Sequence, residues 1–145
     1  MLKLSKRSDY ALIAVRHLAS HGAKCSQSAS DIAEAYGISA PLLAKVLQRL
    51  ARHGIVTARH GSSGGYQLAR KPSEISALEV INAVDGPVVI TSCLTSHGNC
   101  GHTSTCTVRE PLRRVNESIA KVLQSVTISQ MAEDSPEAEL VGLSL

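Results

Sequence analysis

The chain has 145 residues, is 43 % hydrophobic with no Phe or Trp, and carries a formal net charge of +3. These values suit one domain with an appendage and a core of Leu, Ile, Val and Ala. No apolar run nears the roughly 18 residues of a membrane span, and Met1 to Tyr10 holds no signal-peptide core, so a cytoplasmic protein without a disulfide framework is expected.

Ser5 is placed to cap a first helix running to Ser20, along which Ala11, Val15, Leu18 and Ala19 recur at helical spacing. His21-Gly22 ends it. A Ser-rich loop follows, and Ser30 is the expected cap of a short helix from Asp31 to Ala35, broken at Tyr36-Gly37. Ser39 caps a third helix with Pro41 inside its first turn, where a missing N–H matters little. Leu43, Val46, Leu47 and Leu50 form the buried stripe of that helix, and Lys45, Gln48, Arg49 and Arg52 fall on its other side. Gly54 stops it. Ile55 to Ala58 and Tyr66 to Ala69 read as two short strands joined by a flexible tip, His60-Gly61-Ser62-Ser63-Gly64-Gly65. Pro72 closes this unit, so residues 1–72 form the expected first domain.

Ser76-Ala77-Leu78-Glu79 is a capping box for a helix to Val84, ended by Asp85-Gly86-Pro87. Residues 91–106 contain three Cys, two His and two Gly without periodicity and read as a loop. A long helix from Val108 to Gln124 carries the apolar stripe Leu112, Val115, Ile119 and Val122/Leu123. Thr127 to Ala132 adds a further turn or two. Residues 73–132 thus comprise a linker helix, a loop and a long helix, and 133–145 a flexible tail. The expected class is mainly α: a winged helix-turn-helix with a two-stranded wing and a long C-terminal helix.

The second and third helices, joined by a turn with Gly, match the helix-turn-helix pattern. There the second helix buries one stripe to stay rigid while its N-terminal and outward residues reach base edges. Ser39, Ala40, Lys45, Gln48 and Arg49 are the candidates, and Arg59 and His60 at the wing are placed to meet a phosphate or a minor groove. Many helical hairpins share the first pattern, but the charge distribution adds to it. Residues 1–72 hold eleven Lys and Arg against three Asp and Glu, whereas residues 73–145 hold four against nine. A basic front half is the electrostatic footprint of a polyanion binder, here double-stranded DNA. No triad, paired-carboxylate or phosphate-loop arrangement supports an enzyme.

Cys93, Cys100 and Cys106 are spaced C-x6-C-x5-C, with His97 and His102 between them. Thiolates this close converge on a soft metal because one loop can wrap it. Three Cys leave a tetrahedral zinc one ligand short, which His97 or His102 can supply, and leave an iron–sulfur cluster one ligand short as well. A thiol-disulfide switch is the other chemistry open to them. Cys25, alone near a helix end, reads as a small buried residue.

These residues resemble the IscR/NsrR/SufR-type family of winged-helix regulators. The resemblance begins at Leu4-Ser5-Lys6-Arg7-Ser8-Asp9-Tyr10-Ala11 and continues through Asp31-Ile32-Ala33. It is most specific at Gly64-Gly65-Tyr66-Gln67-Leu68-Ala69-Arg70 and Ile75-Ser76-Ala77-Leu78-Glu79-Val80-Ile81, and covers roughly residues 2–132. Glu74-Ile75-Ser76 and Cys106-Thr107-Val108-Arg109 are similar to regulators of SUF-type cluster assembly operons. The resemblance implies a homodimer joined through the long helix, reading a pseudo-palindromic operator. It implies a repressor of iron–sulfur assembly genes with a cluster, 2Fe–2S ahead of 4Fe–4S, on Cys93, Cys100 and Cys106. In some members a residue of the first helix of the partner subunit completes the site, and Asp9 stands where nitric-oxide-sensing members use an aspartate. Two positions depart from the pattern. Arg109 occupies the site of the histidine ligand of other members, which leaves His97, His102 and Glu110 beside Asp9 as candidates. His60 precedes the wing glycine where Arg is usual, with Arg59 one residue earlier.

Overall fold

The computed structural model describes residues 3–21, 26–61, 64–90 and 107–133. Helix α1 spans Lys6–Ser20, and the Ser5 hydroxyl accepts the Ser8 N–H at 3.1 Å, satisfying one donor that a helix start leaves open. Helix α2 covers Ala29–Tyr36. Its cap is Ser28 rather than the expected Ser30: the Ser28 hydroxyl accepts from the Asp31 N–H at 3.0 Å. Both serines have the right chemistry, and the wing decides between them. Gln27 exchanges two backbone hydrogen bonds with Tyr66, at 2.9 and 2.7 Å. The chain is therefore extended up to residue 28, and Ser30 falls inside the first turn.

Helix α3 spans Ala40–Arg52 and starts from Ser39. The Ser39 hydroxyl makes no capping bond; one of the amides it would serve is the nitrogen of Pro41, which carries no hydrogen. Leu43, Val46, Leu47 and Leu50 are all buried, as the periodicity predicts. Strands β1 (Val56–Arg59) and β2 (Gly65–Leu68) pair antiparallel, with Val56 opposite Leu68 and Arg59 opposite Gly65. Gln27 borders the free edge of β2 and ties the wing to the body. Gly65 is required there: its φ is 153°, and a Cβ would lie 2.5 Å from the Gln27 carbonyl.

A 3-10 turn at Pro72–Glu74 leads into helix α4 (Ala77–Asp85), one residue longer than expected. The Ser76 hydroxyl caps it by accepting the Glu79 N–H at 3.1 Å. The Glu79 carboxylate does not complete the capping box but pairs with Arg70 at 2.6 Å. Helix α5 spans Arg109–Ser125 and α6 spans Ile128–Glu133. The core is continuous across Pro72, for Ile75, Val80, Val84 and Ile128 join Ala11, Val15, Leu18 and the α3 stripe. Backbone bonds from Ala77 to Val126 (2.8 Å) and from Ile128 to Ile75 (2.9 Å) hold the chain beyond α5 against the start of α4. Among the described residues no helix is long and apolar enough to cross a membrane.

The carboxyl end of α4 is fastened to both α1 and α3. Asp85 accepts hydrogen bonds from the Ser5 and Ser8 hydroxyls and pairs with Arg7 at 3.3 Å. Arg49 of α3 donates to the Val84 carbonyl at 2.8 Å. Burial acts to raise the Asp85 carboxyl, but the bonds from Ser5 and Ser8 and the charges of Arg7 and Arg49 outweigh it and hold the group below the ordinary carboxylate range. A carboxyl lowered by folding contributes stability above its unfolded pKa and loses it as pH falls through the folded one. Asp85→Asn is therefore expected to melt at a lower temperature than the parent at neutral pH, with the gap closing below about pH 5. Thermal midpoints across that range test this; a constant gap contradicts it.

Candidate nucleic-acid interface

The burial of Leu43, Val46, Leu47 and Leu50 fixes which edge of α3 faces outward. Lys45, Gln48, Arg49 and Arg52 are exposed there, and so is Ser39 at the helix start. Ala40 is half-buried and packs against the core rather than standing free. The Gln48 side chain makes no hydrogen bond within the described residues, so its amide is available to a base edge. Arg49 has an internal partner in the Val84 carbonyl, and periodicity could not have shown it because that partner is 35 residues away.

The wing places Arg59 and His60 at the exposed end of β1. With the Gln67 amide oxygen turned toward it, the Arg59 guanidinium donates to that oxygen at 2.8 and 3.1 Å. Gln67 sits on the neighbouring strand, opposite Thr57. A cross-strand partner of this kind narrows the rotamers of a long side chain and keeps its charge near the wing.

A polar cluster inside the domain went unseen in the sequence. His17 is 6 % exposed, with Nε2 at 2.6 Å from the Gln27 side-chain oxygen and Nδ1 at 2.9 Å from the Tyr36 hydroxyl. The amide oxygen can only accept, so in the neutral ring Nε2 carries the proton and Nδ1 accepts from Tyr36. His21 stacks on the same ring, with centroids 4.0 Å apart. The cluster joins α1, the end of α2 and, through Gln27, the wing. Nothing in the local pattern announces it: Tyr36 reads only as a helix end and Gln27 only as loop.

Cys25, Cys93, His97, Cys100, His102 and Cys106 lie outside the described residues. The stems on either side of residues 91–106 are described. The Asn116 side chain of α5 clamps the first stem, donating to the Val88 carbonyl and accepting from the Ile90 N–H, both at 3.0 Å. The second stem, Thr107-Val108, runs directly into α5. Asp9 is exposed on α1, and its carboxylate has no partner among the described residues. Glu110 is engaged by Arg113 at 2.5 Å. Helix α5 contains no buried residue, and Val115 and Val122 are 46 % and 62 % exposed. Together with Ile119 and Leu123 they line an open apolar groove.

Three comparisons bear on this arrangement. Residues 4–134 match the model of the Rrf2 family, described as iron-dependent transcriptional regulators. The HTH-type transcriptional regulator IscR of Vibrio atlanticus is 30 % identical, over 96 % of this chain and 80 % of that protein. Among solved structures, IscR of T. potens superposes with a TM-score of 0.75 at 30 % identity, covering 94 % of this chain and 90 % of the other. CymR of B. subtilis, described as a global cysteine regulator, superposes with a TM-score of 0.76 at 26 % identity, covering 93 % and 99 %. The chain belongs to the Rrf2 family, and it is a winged-helix DNA-binding transcription regulator, not an enzyme.

Proposed function

We propose that the chain is one subunit of a homodimeric repressor of iron–sulfur cluster assembly genes. It reads operator DNA through α3 and the wing and carries an iron–sulfur cluster on Cys93, Cys100 and Cys106. The observation behind this reading is the attachment of the three-cysteine segment. One stem leaves α4 just beyond the bond to Arg49 of α3, and both stems are fastened to α5. The donor set fits: three thiolates in 14 residues are soft ligands, matched to iron and sulfide. A cluster there, 2Fe–2S ahead of 4Fe–4S, would supply iron whose ligation responds to oxidants and to cluster supply. Asp9 is the proposed fourth ligand, offered by α1 of one subunit to the other, because its carboxylate is exposed and uncommitted. Arg109 cannot ligate, and Glu110 already pairs with Arg113.

The exposed stripe of α5 is the proposed dimer contact, since apolar surface contiguous along a helix is favourably removed from water. Two α3 helices would then lie about 34 Å apart, one turn of duplex. Within each half-site Ser39 and Gln48 face the major groove, Ala40 shapes the start of the helix, and Lys45 and Arg49 stand beside them, Arg49 on its tether. Arg59 and His60 bring the wing to the backbone or minor groove.

A second reading is favoured by the likeness to CymR: the same body with its thiols used in zinc binding or thiol redox and no cluster. Anaerobic purification separates the two. Visible absorbance with iron and sulfide in the protein supports the cluster, whereas a colourless zinc protein or free thiols support the second reading. Replacement of Cys93, Cys100 or Cys106 by Ala is expected to abolish the visible absorbance in each case, and full iron occupancy in any variant removes that cysteine from the site. Val122→Glu is expected to turn the dimer into monomer by sedimentation at micromolar concentration; a persistent dimer moves the contact elsewhere. Gln48→Ala is expected to narrow the gap between operator and random DNA by roughly 1–3 kcal/mol with an unchanged melting temperature. An undiminished preference excludes Gln48 from base reading.

A further inference from the structure

A cleft of about 430 Å³ lies between the first turn of α1 and α3. Four cations line it: Arg7 from α1, and Lys45, Arg49 and Arg52 from α3. Leu42, Lys45, Arg49 and Arg52 are spaced by three, four and three residues, which sets them along one edge of the helix. Pro41, Ala44 and Gln48 lie along the next edge round, and Gln48 also lines the cleft. The cations therefore gather beside Gln48 on the exposed face of α3.

The charges in this cleft are unbalanced. Asp85 is the carboxylate beside it, and its oxygens already take the Ser5 and Ser8 hydroxyls together with Arg7. Lys45 and Arg52 have no ion pair among the described residues. Arg7 and Arg49 are held in place from behind, by Asp85 and by the Val84 carbonyl. Like charges gathered this closely repel unless an anion enters, and two are fixed before any ligand arrives. Preorganised guanidinium groups suit a tetrahedral oxyanion, whose oxygens accept their forked N–H donors.

We propose that this cleft seats a phosphodiester of the DNA backbone, with Arg7, Lys45 and Arg52 donating to its oxygens. The cleft opens onto the same face as Gln48, so a duplex whose groove receives α3 carries its backbone past the cleft mouth. Arg7 then becomes a DNA contact from outside the helix-turn-helix, and Asp85 a positioning residue that orients it. This inference uses only the DNA-binding function of the family and stands whether or not the thiols hold a cluster. A free phosphate would satisfy the same chemistry, and the experiment below separates the two sources.

Arg7→Gln and Arg52→Gln are made in the full chain, with Arg7→Lys as the conservative variant and Lys121→Gln on α5 as a control for net charge. Affinity for a selected operator and for random duplex is measured over a salt series, with thermal midpoints confirming the fold. Each Gln variant is expected to weaken both DNAs alike and to reduce the slope of log affinity against log salt by about one. Arg7→Lys is expected to restore most of the slope, and Lys121→Gln to leave it at the parent value. Unchanged slopes in both Gln variants overturn the proposal, as does a loss of operator preference without a change in slope, which would mark a base contact. Inorganic phosphate, titrated at constant ionic strength, is expected not to compete with DNA. Saturable competition that disappears in Arg7→Gln would reassign the cleft to a free oxyanion and overturn the backbone assignment.

Discussion

The burial of one face of α3 is the constraint on which the rest of the molecule depends. Leu43, Val46, Leu47 and Leu50 enter a core shared with Ala11, Val15 and Leu18 of α1 and with Val80 and Val84 of α4. Truncating one such leucine costs about 2–5 kcal/mol, whereas an exposed ion pair contributes about 0–1 kcal/mol. The apolar stripe therefore sets the rotation of α3 about its axis, and the polar contacts around it only trim the result. Once that rotation is set, the choice of residues for DNA is no longer free: Lys45, Gln48, Arg49 and Arg52 are turned outward, with Arg7 of α1 beside them.

What the sequence made legible follows the same division. Periodicity placed α1, α3 and α5 to within a residue at each end because their apolar stripes are long and regular. It misplaced the start of α2, where the deciding contact is the pairing of Gln27 with Tyr66, 39 residues away in the chain. The candidate DNA residues on α3 and the wing could be named from pattern and charge. Their internal partners could not. Arg49 with the Val84 carbonyl, Arg59 with Gln67, and Arg7 with Asp85 all join elements whose approach is fixed by packing, and short-range spacing contains no record of it. For the same reason His17, an unremarked polar residue in an apolar stripe, proved to be the centre of a fully bonded cluster.

The two halves of the chain spend their apolar residues differently. The first half and α4 hide theirs in one core, and no buried side-chain polar atom among the described residues lacks a partner. Helix α5 leaves Val115 and Val122 open to water and instead satisfies its charges locally, as Arg113 does with Glu110 and Glu117. Those neighbouring carboxylates hold the Arg113 guanidinium above its ordinary pKa, Glu110 through a hydrogen bond first of all. Such pairs support an isolated helix by about 0.2–0.5 kcal/mol each. A helix stabilised along its own length needs less from the body of its own subunit, which leaves its apolar edge available to a second copy.

Between these halves runs the short path from Val84 to Ile90. At its start, the α4 carboxyl end is gripped by α1 and α3; at its finish, the backbone is gripped by Asn116 of α5. Both grips are made on backbone carbonyls and amides or on one shared carboxylate, so they fix where the chain runs more than which side chains line it. A segment held at both ends transmits displacement instead of absorbing it, and only if the elements it joins have two arrangements does displacement become coupling. In the proposed dimer, the angle at which the two α5 edges meet would decide whether DNA can seat both α3 helices together. Any ligand that ties residues 91–106 to α1 of the opposite subunit would bias that angle through Asn116 and Asp85. It need touch no DNA contact to do so.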